Sequence, residues 1–211
     1  MALINSREVY PDVFLGLWQI DETVDMLLKD YSWTSKYLQE VNRKYKNDAR
    51  KVEFLCVRVL LREMLRNAGY TDGQIAALGD IVYDANGKPL LKGAHVSISH
   101  TEGYAAVIFS KNKNVGVDIE YLDERVKNVA SKFLRRDEKA ADLDSLLVHW
   151  CGKETVYKLF SEQKLQFQEM RVAPFDTMAD WTCEVENLKS NCKVTVDFEL
   201  TMEFVLTYAA L

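Results

Sequence analysis

Two carboxylates one residue apart stand in the middle of Val115–Leu122, VGVDIEYL. The β-branched content predicts a strand, which sends Val117 and Ile119 to one face and Asp118 and Glu120 to the other. Neighbouring anions repel, and covering their face would strip their hydration. Hard oxygens at this spacing suit Mg²⁺, which takes one or two protein carboxylates and completes its octahedron with water and phosphate oxygens. A solvated strand face is the other reading of the same pair.

A second signal is His149–Lys158, HWCGKETVYK. At helical spacing Leu147, Trp150, Cys151, Glu154 and Lys158 share one side, so Glu154 lies in line with large apolar residues. That is a costly place for a carboxylate without a partner. One reading is an i, i+4 pair with Lys158 at the edge of a buried stripe; the other is a third metal ligand beside a cation. Gly152 in mid-helix is unfavourable and reads as a site of close packing. A third signal is Val96–Thr101, VSISHT, where a strand running into a turn offers hydroxyls, an imidazole and backbone N–H groups to a phosphate. A surface histidine at a turn fits His100 equally well.

The elements around these residues follow from periodicity and turn chemistry. Val13–Ile20 reads as a strand, and Asp21-Glu-Thr opens a short helix. Asn47–Arg66 is the first long helix, stopped at Gly69. After short runs at Ile81–Tyr83 and Leu90–Leu91, the runs His95–Ser99, Ala105–Ser110 and Val115–Glu120 suggest a three-stranded meander. Val126–Phe133 and Asp137–Leu143 read as helical, and Ser145–Phe160 as the second long helix. Four strands follow, at Arg171–Ala173, Trp181–Val185, Val194–Glu199 and Glu203–Ala209. A long helix followed by strands occurs twice, which predicts an α+β fold of two similar lobes, although no residue-level repeat is visible.

Composition narrows the classes of function. The net charge of −5 argues against a general nucleic-acid binder. No run of eighteen apolar residues is present to span a membrane, and the start lacks a basic region followed by an apolar stretch. Cys56, Cys151, Cys183 and Cys192 show no metal-binding spacing, and a reducing cytoplasm is the expected compartment.

The order and spacing of the motifs carry more than any one of them. SISHT, then GVDIE (Gly116–Glu120), then WCGKETVYK (Trp150–Lys158) resemble the 4′-phosphopantetheinyl transferases of the surfactin-synthetase-activating type. Those enzymes show an SHS-like segment, a G-[VI]-D-[IVL]-E strand and a W-x-x-K-E-x-x-x-K helix in this order. ANGKP (Ala85–Pro89) matches the GKP element of that family, and the helix bearing Asp48-Ala-Arg-Lys stands where the family has a basic helix. The resemblance runs from about Lys36 to Val172. Departures are Ser97 in place of Asn, Thr101 in place of Ser, and a segment Ser161–Gln168 without glycines.

The resemblance implies a pseudo-dimeric fold with lobes at about 1–110 and 111–211, the site between them, each lobe a long helix on a small, mostly antiparallel sheet. It implies transfer of the 4′-phosphopantetheine arm of coenzyme A to a serine of an apo acyl or peptidyl carrier protein, releasing adenosine 3′,5′-bisphosphate. Asp118, Glu120 and Glu154 would hold Mg²⁺, with Mn²⁺ as the alternative. Glu154 would serve as general base, and Lys158 would neutralise charge on the phosphates. Ser99, His100, Lys88, Arg50 and Lys36 would contact CoA, together with Lys158. Lys132 and Arg135, on a mixed basic and apolar segment Arg125–Arg136, are the expected docking cations for the acidic carrier; a helix packed inward with solvated cations is the plainer reading. A monomer is expected. Another Mg²⁺-dependent phosphohydrolase, or a non-catalytic CoA- or carrier-binding protein of the same fold, are the competing classes.

Overall fold

The long apolar-periodic stretches are helices, and each starts on a side-chain cap. Asn47 accepts from the Ala49 N–H at 2.9 Å at the head of the first, and Asp142 forms a reciprocal capping box with Ser145 at the head of the second. The computed structural model describes residues 3–211. Along the chain come β1 (Leu3–Tyr10), β2 (Val13–Gln19), α1 (Val24–Asp30), α2 (Leu38–Lys44), α3 (Asp48–Asn67), α4 (Asp72–Ala77), β3 (Val82–Tyr83), β4 (Pro89–Leu90), β5 (His95–Thr101) and β6 (Tyr104–Ser110). They are followed by β7 (Val115–Tyr121), α5 (Ala130–Phe133), α6 (Leu143–Leu159), β8 (Met170–Val172), β9 (Thr182–Asn187), β10 (Cys192–Leu200) and β11 (Phe204–Ala210).

The strands form two main antiparallel sheets, ordered β1-β2-β6-β5 and β7-β11-β10-β9-β8. The α+β, two-lobed expectation holds, and the repeat that the residues conceal is plain in the topology. In the first lobe β2, β6 and β5 lie side by side and are covered by α3; in the second β7, β11 and β10 do the same beneath α6. Between the sheets lies a third apolar cluster that includes Leu15, Ile108, Val117, Ile119 and Leu206. The layers therefore run helix, sheet, sheet, helix, with three apolar interfaces.

The expected meander is not formed. β5 and β6 pair, but the connection Lys111–Asn114 carries the chain across to the other sheet, where β7 pairs with β11, Asp118 opposite Thr207 and Glu120 opposite Val205. The reason is burial on both sides: Val117 and Ile119 face the first sheet while Gly116 and Asp118 lie against α6. The expected helix at Asp137–Leu143 is also absent. Its backbone gives way because the Glu138 carboxylate turns inward, accepting from the Val172 and Arg135 N–H groups at 2.7 and 2.8 Å and from Lys153 Nζ at 2.7 Å. The segment from Arg125 to Arg136 is a 3-10 turn, Glu124–Val129, followed by the single turn of α5, not one amphipathic helix.

Glycines set the helix–strand spacing. A Cβ on Gly116 would lie 2.4 Å from the Thr155 carbonyl oxygen, so the β7 backbone can approach α6 only without a side chain there. Gly16 on β2 plays the same part beneath α3, where a Cβ would meet Leu60 at 2.8 Å. Gly152 does not have the close-packing role expected of it: its nearest neighbour would be Val185 at an ordinary 3.5 Å.

Gly116→Ala should therefore cost about 1–3 kcal/mol through overpacking against backbone. Gly152→Ala should stay within about 1 kcal/mol of the parent and lean toward stabilisation through helix propensity. Urea unfolding followed by circular dichroism checks the ranking; the reverse order would place the tight approach elsewhere on α6.

Candidate active site

Alternation along β7 puts Asp118 and Glu120 on the face that meets α6, and the 3.6-residue period of α6 brings Trp150, Glu154 and Lys158 to the same place. Thr155 fixes the register, since its hydroxyl meets that of Thr207 on β11 at 2.7 Å. Lys158 turns away from Glu154, its i+4 neighbour: Nζ donates to Asp118 Oδ1 at 2.7 Å and to the Val117 carbonyl at 2.8 Å. The Ser99 hydroxyl donates to the same Oδ1 at 2.7 Å. Asp118 Oδ2 is buried and has no partner among the described residues. Trp150 Nε1 donates to Glu120 Oε1 at 3.1 Å.

Three carboxylates thus share one ammonium. Burial raises Glu154 to about 7, helped by the charges of Asp118 and then Glu120, while Lys158 pulls the other way. Glu120 is likewise raised, first by burial and then by Asp118, against the Trp150 hydrogen bond and Lys158. Excess negative charge at a half-buried site is a standing demand for a cation. Among the described residues no three His, Cys, Asp or Glu side chains are gathered closely enough to hold an ion unaided. The donor set nevertheless fits Mg²⁺, which needs only one or two carboxylates when phosphate and water supply the rest, and the orphaned Asp118 Oδ2 is an oxygen of that kind.

A groove leads away from this cluster along the seam between the lobes. Its two adjoining parts, of about 170 and 300 Å³, share Gly87, Pro89, Ile98 and Lys158 as walls. Glu154 and Lys88 line the smaller part; Arg50, Ser99 and His100 line the larger. Arg50 approaches His100 Nδ1 at 3.4 Å and Glu53 at 2.8 Å. Burial lowers the His100 pKa, with Arg50 and Lys158 acting in the same direction against Glu53, so the ring is neutral at pH 7.

Of the residues singled out from the sequence, Asp118, Glu120, Glu154, Lys158, Ser99, His100, Arg50 and Lys88 come together at the cluster or along the groove. Lys36 does not line it. It donates to Asp80 at 2.6 Å and, with Arg43 and Lys44, borders an open depression on the far side of Tyr83. Lys132 is exposed, whereas Arg135 is tied down by Asp137 and the Gln168 carbonyl. A separate cavity of about 290 Å³ between α3 and α4, lined by Trp33, Arg62 and Ile75, has none of Asp118, Glu120 and Glu154 on its walls.

Two features escaped the sequence reading. Trp150 orients Glu120, and Lys153, wholly buried, pairs with the equally buried Glu138 while also donating to the Phe133 carbonyl at 2.8 Å. Lys153 sits between Trp150 and Val156 at helical spacing, a setting that signals a buried charge, but nothing in the sequence named Glu138 as its partner. Phe133, held by that bond, stacks edge-on against Trp150 with ring centroids 5.1 Å apart, so the strut supports the indole that orients Glu120.

Comparison with known proteins places a similarity on this half of the molecule. Residues 114–209 match the family model ACPS, described as the 4′-phosphopantetheinyl transferase superfamily, over a span that runs from the head of β7 into β11 and includes all of α6. No curated protein matches the chain. Among the described residues no helix is long and apolar enough to cross a membrane.

The raised Glu154 has a stability signature. A carboxyl whose folded pKa lies above its ordinary 4.5 binds more protons in the folded state, so its contribution is full at low pH and is lost as pH rises through about 7. Glu154→Gln does not titrate. In chelator, the melting temperature of the parent should fall relative to Glu154→Gln between about pH 5 and pH 8. Parallel melting curves across that window would mean that Glu154 is ionised at its ordinary pKa.

Proposed function

We propose that this chain transfers the 4′-phosphopantetheine arm of coenzyme A to a serine of an apo carrier protein, in the manner of the surfactin-synthetase-activating type. The observation that carries the reading is the cluster itself: an acid pair on β7, a carboxyl raised to about 7 on α6 and an ammonium paired with Asp118, at the end of a groove walled by Lys88, His100 and Arg50. The superfamily match over residues 114–209, which include Asp118, Glu120, Glu154 and Lys158 but none of the groove walls from the first lobe, supports it.

Phosphoryl transfer at a pyrophosphate is chiefly a problem of charge and alignment. Asp118, Glu120 and Glu154 would hold Mg²⁺, or Mn²⁺, which when bound supplies positive charge at the pyrophosphate. Glu154, ionised near neutral pH, accepts the proton of the carrier serine hydroxyl as its oxygen forms a bond to the phosphorus that bears the pantetheine arm. The phosphoanhydride bond breaks with its electron pair, and adenosine 3′,5′-bisphosphate leaves. Lys158, in reach of both Asp118 and the groove, meets the charge that develops on the phosphates. Neutral His100 and cationic Arg50 face the outer part of the same groove, where a nucleotide phosphate would lie.

A surface for the carrier adjoins the acids. Val126, Val129, Leu147 and Trp150 line an apolar depression of about 360 Å³ that reaches Glu120, with Arg125 at its rim. An acidic helical carrier would be steered by Arg125 and Lys132 and would seat an apolar side chain there.

Incubation with CoA, Mg²⁺ and a panel of apo carriers, followed by mass spectrometry, tests the activity: a carrier heavier by one phosphopantetheine is the expected product. Asp118→Ala should abolish it, and Glu154→Gln should lower kcat by roughly 10²–10⁴ with little change in CoA affinity. Full activity of Asp118→Ala in saturating Mg²⁺ would remove the metal assignment. Free pantetheine phosphate without modified carrier would make the protein a hydrolase.

For docking, Lys132→Glu with Arg125→Glu should raise KM for the carrier at low salt and leave KM for CoA unchanged. Arg135→Glu is a poorer test because it also breaks the contacts to Asp137 and Gln168. An unchanged carrier KM at low salt would move docking to another surface.

A further inference from the structure

β5 and β7 are edge strands of different sheets that run side by side, with side chains of β5 bridging the gap where a main-chain ladder would stand. Alternation along β5 sends Val96 and Ile98 into the α3 core and Ser97, Ser99 and Thr101 toward β7. Ser97 Oγ accepts from the Val117 N–H at 3.2 Å, and Thr101 Oγ1 accepts from the Tyr121 N–H at 3.0 Å. The middle rung differs. Ser99 does not cap a backbone amide; it donates its hydroxyl proton to Asp118 Oδ1.

A hydroxyl has one proton, so the one given to Asp118 is not available to a phosphate. Lys158 donates to the same Oδ1, which leaves that oxygen with two donors and Oδ2 buried and bare. Two donors on one oxygen fix the plane of the carboxylate and leave the other oxygen free of hydrogen bonds.

We propose that Ser99, on the first lobe, is a positioning residue for Asp118, on the second, holding Oδ1 so that Oδ2 alone is offered to a divalent cation. This rests on the functional reading above and replaces the phosphate contact expected of Ser99. Residues that orient metal ligands typically contribute 10–100-fold in metal affinity.

The test uses Mn²⁺ as a spectroscopic probe. Free Mn²⁺ is titrated by electron paramagnetic resonance into the full chain and into Ser99→Ala, Ser99→Thr and Ser97→Ala, with and without CoA. Ser99→Ala should bind Mn²⁺ at least 10-fold more weakly and need correspondingly more Mg²⁺ for half-maximal transfer, with KM for CoA unchanged. Ser99→Thr keeps the hydroxyl and should restore both, and Ser97→Ala should match the parent in metal affinity. Should Ser99→Ala fail to fold, Ser99→Val against Ser99→Thr, alike in shape and differing in the hydroxyl, carries the same comparison. A raised KM for CoA with parental Mn²⁺ affinity would return Ser99 to a phosphate contact and overturn the positioning role while leaving the transferase reading intact. A parent that neither retains Mn²⁺ nor transfers would defeat the functional reading and this role with it.

Discussion

Everything at the acid cluster depends on how closely one strand can lie under one helix. The Gly116 backbone sits against the Thr155 carbonyl, at a distance no other residue type allows, and the Thr155–Thr207 hydroxyl contact fixes the helix along the strand. That approach sets the height of Asp118 and Glu120 relative to Glu154 and Lys158. At a larger spacing Glu120 and Glu154 would be hydrated separately, the upward shift of both would be lost, and the chemistry argued from Glu154 would vanish. The first lobe uses a glycine in the same way, Gly16 beneath Leu60, but with a flexible side chain above it, and it carries no acids there. One packing device is repeated, and an acid cluster stands beside it in only one lobe.

The lobes meet through two chemically different seams. On the side of the cluster, Ser97, Ser99 and Thr101 bridge from β5 to β7. Elsewhere Arg7 pairs with Glu199 and Tyr10 bonds Asp197, which ties β1 to β10. The apolar layer between the sheets provides most of the attraction, since surface ion pairs contribute little and hydroxyl contacts contribute modestly. The polar rungs specify alignment. They leave the lobes one way to dock, the way that places the groove walls from ANGKP and SISHT beside Glu154 and Lys158.

Much of this was legible in the sequence, for local reasons. Period-two alternation announced β7 and its two faces, Gly69 marked the stop of the first long helix, and the acid pair, the KE helix and the SISHT strand are neighbours in the fold. What the sequence hid was long-range. Turn-like residues at Lys111–Asn114 look the same whether the chain returns to its own sheet or crosses to another. Glu138 reads as a helical surface acid until Lys153 and the Val172 amide claim it from distant positions. Lys158 reads as the partner of Glu154 until the sheet brings Asp118 within reach. Ser99 reads as a free hydroxyl because the other lobe, absent from any local window, supplies its acceptor.

The hydroxyl bridge between β5 and β7 has a bearing on solubility. Edge strands present unpaired amides that recruit other strands, and here the Val117 and Tyr121 amides are capped by side chains of the opposite lobe. Each edge hides the other. A form in which the lobes had parted would expose two seven-residue edges together with the apolar face between the sheets, a template for strand addition from another molecule. Substitutions that loosen the seam would then show themselves first as concentration-dependent aggregation, before any loss of secondary structure in dilute solution.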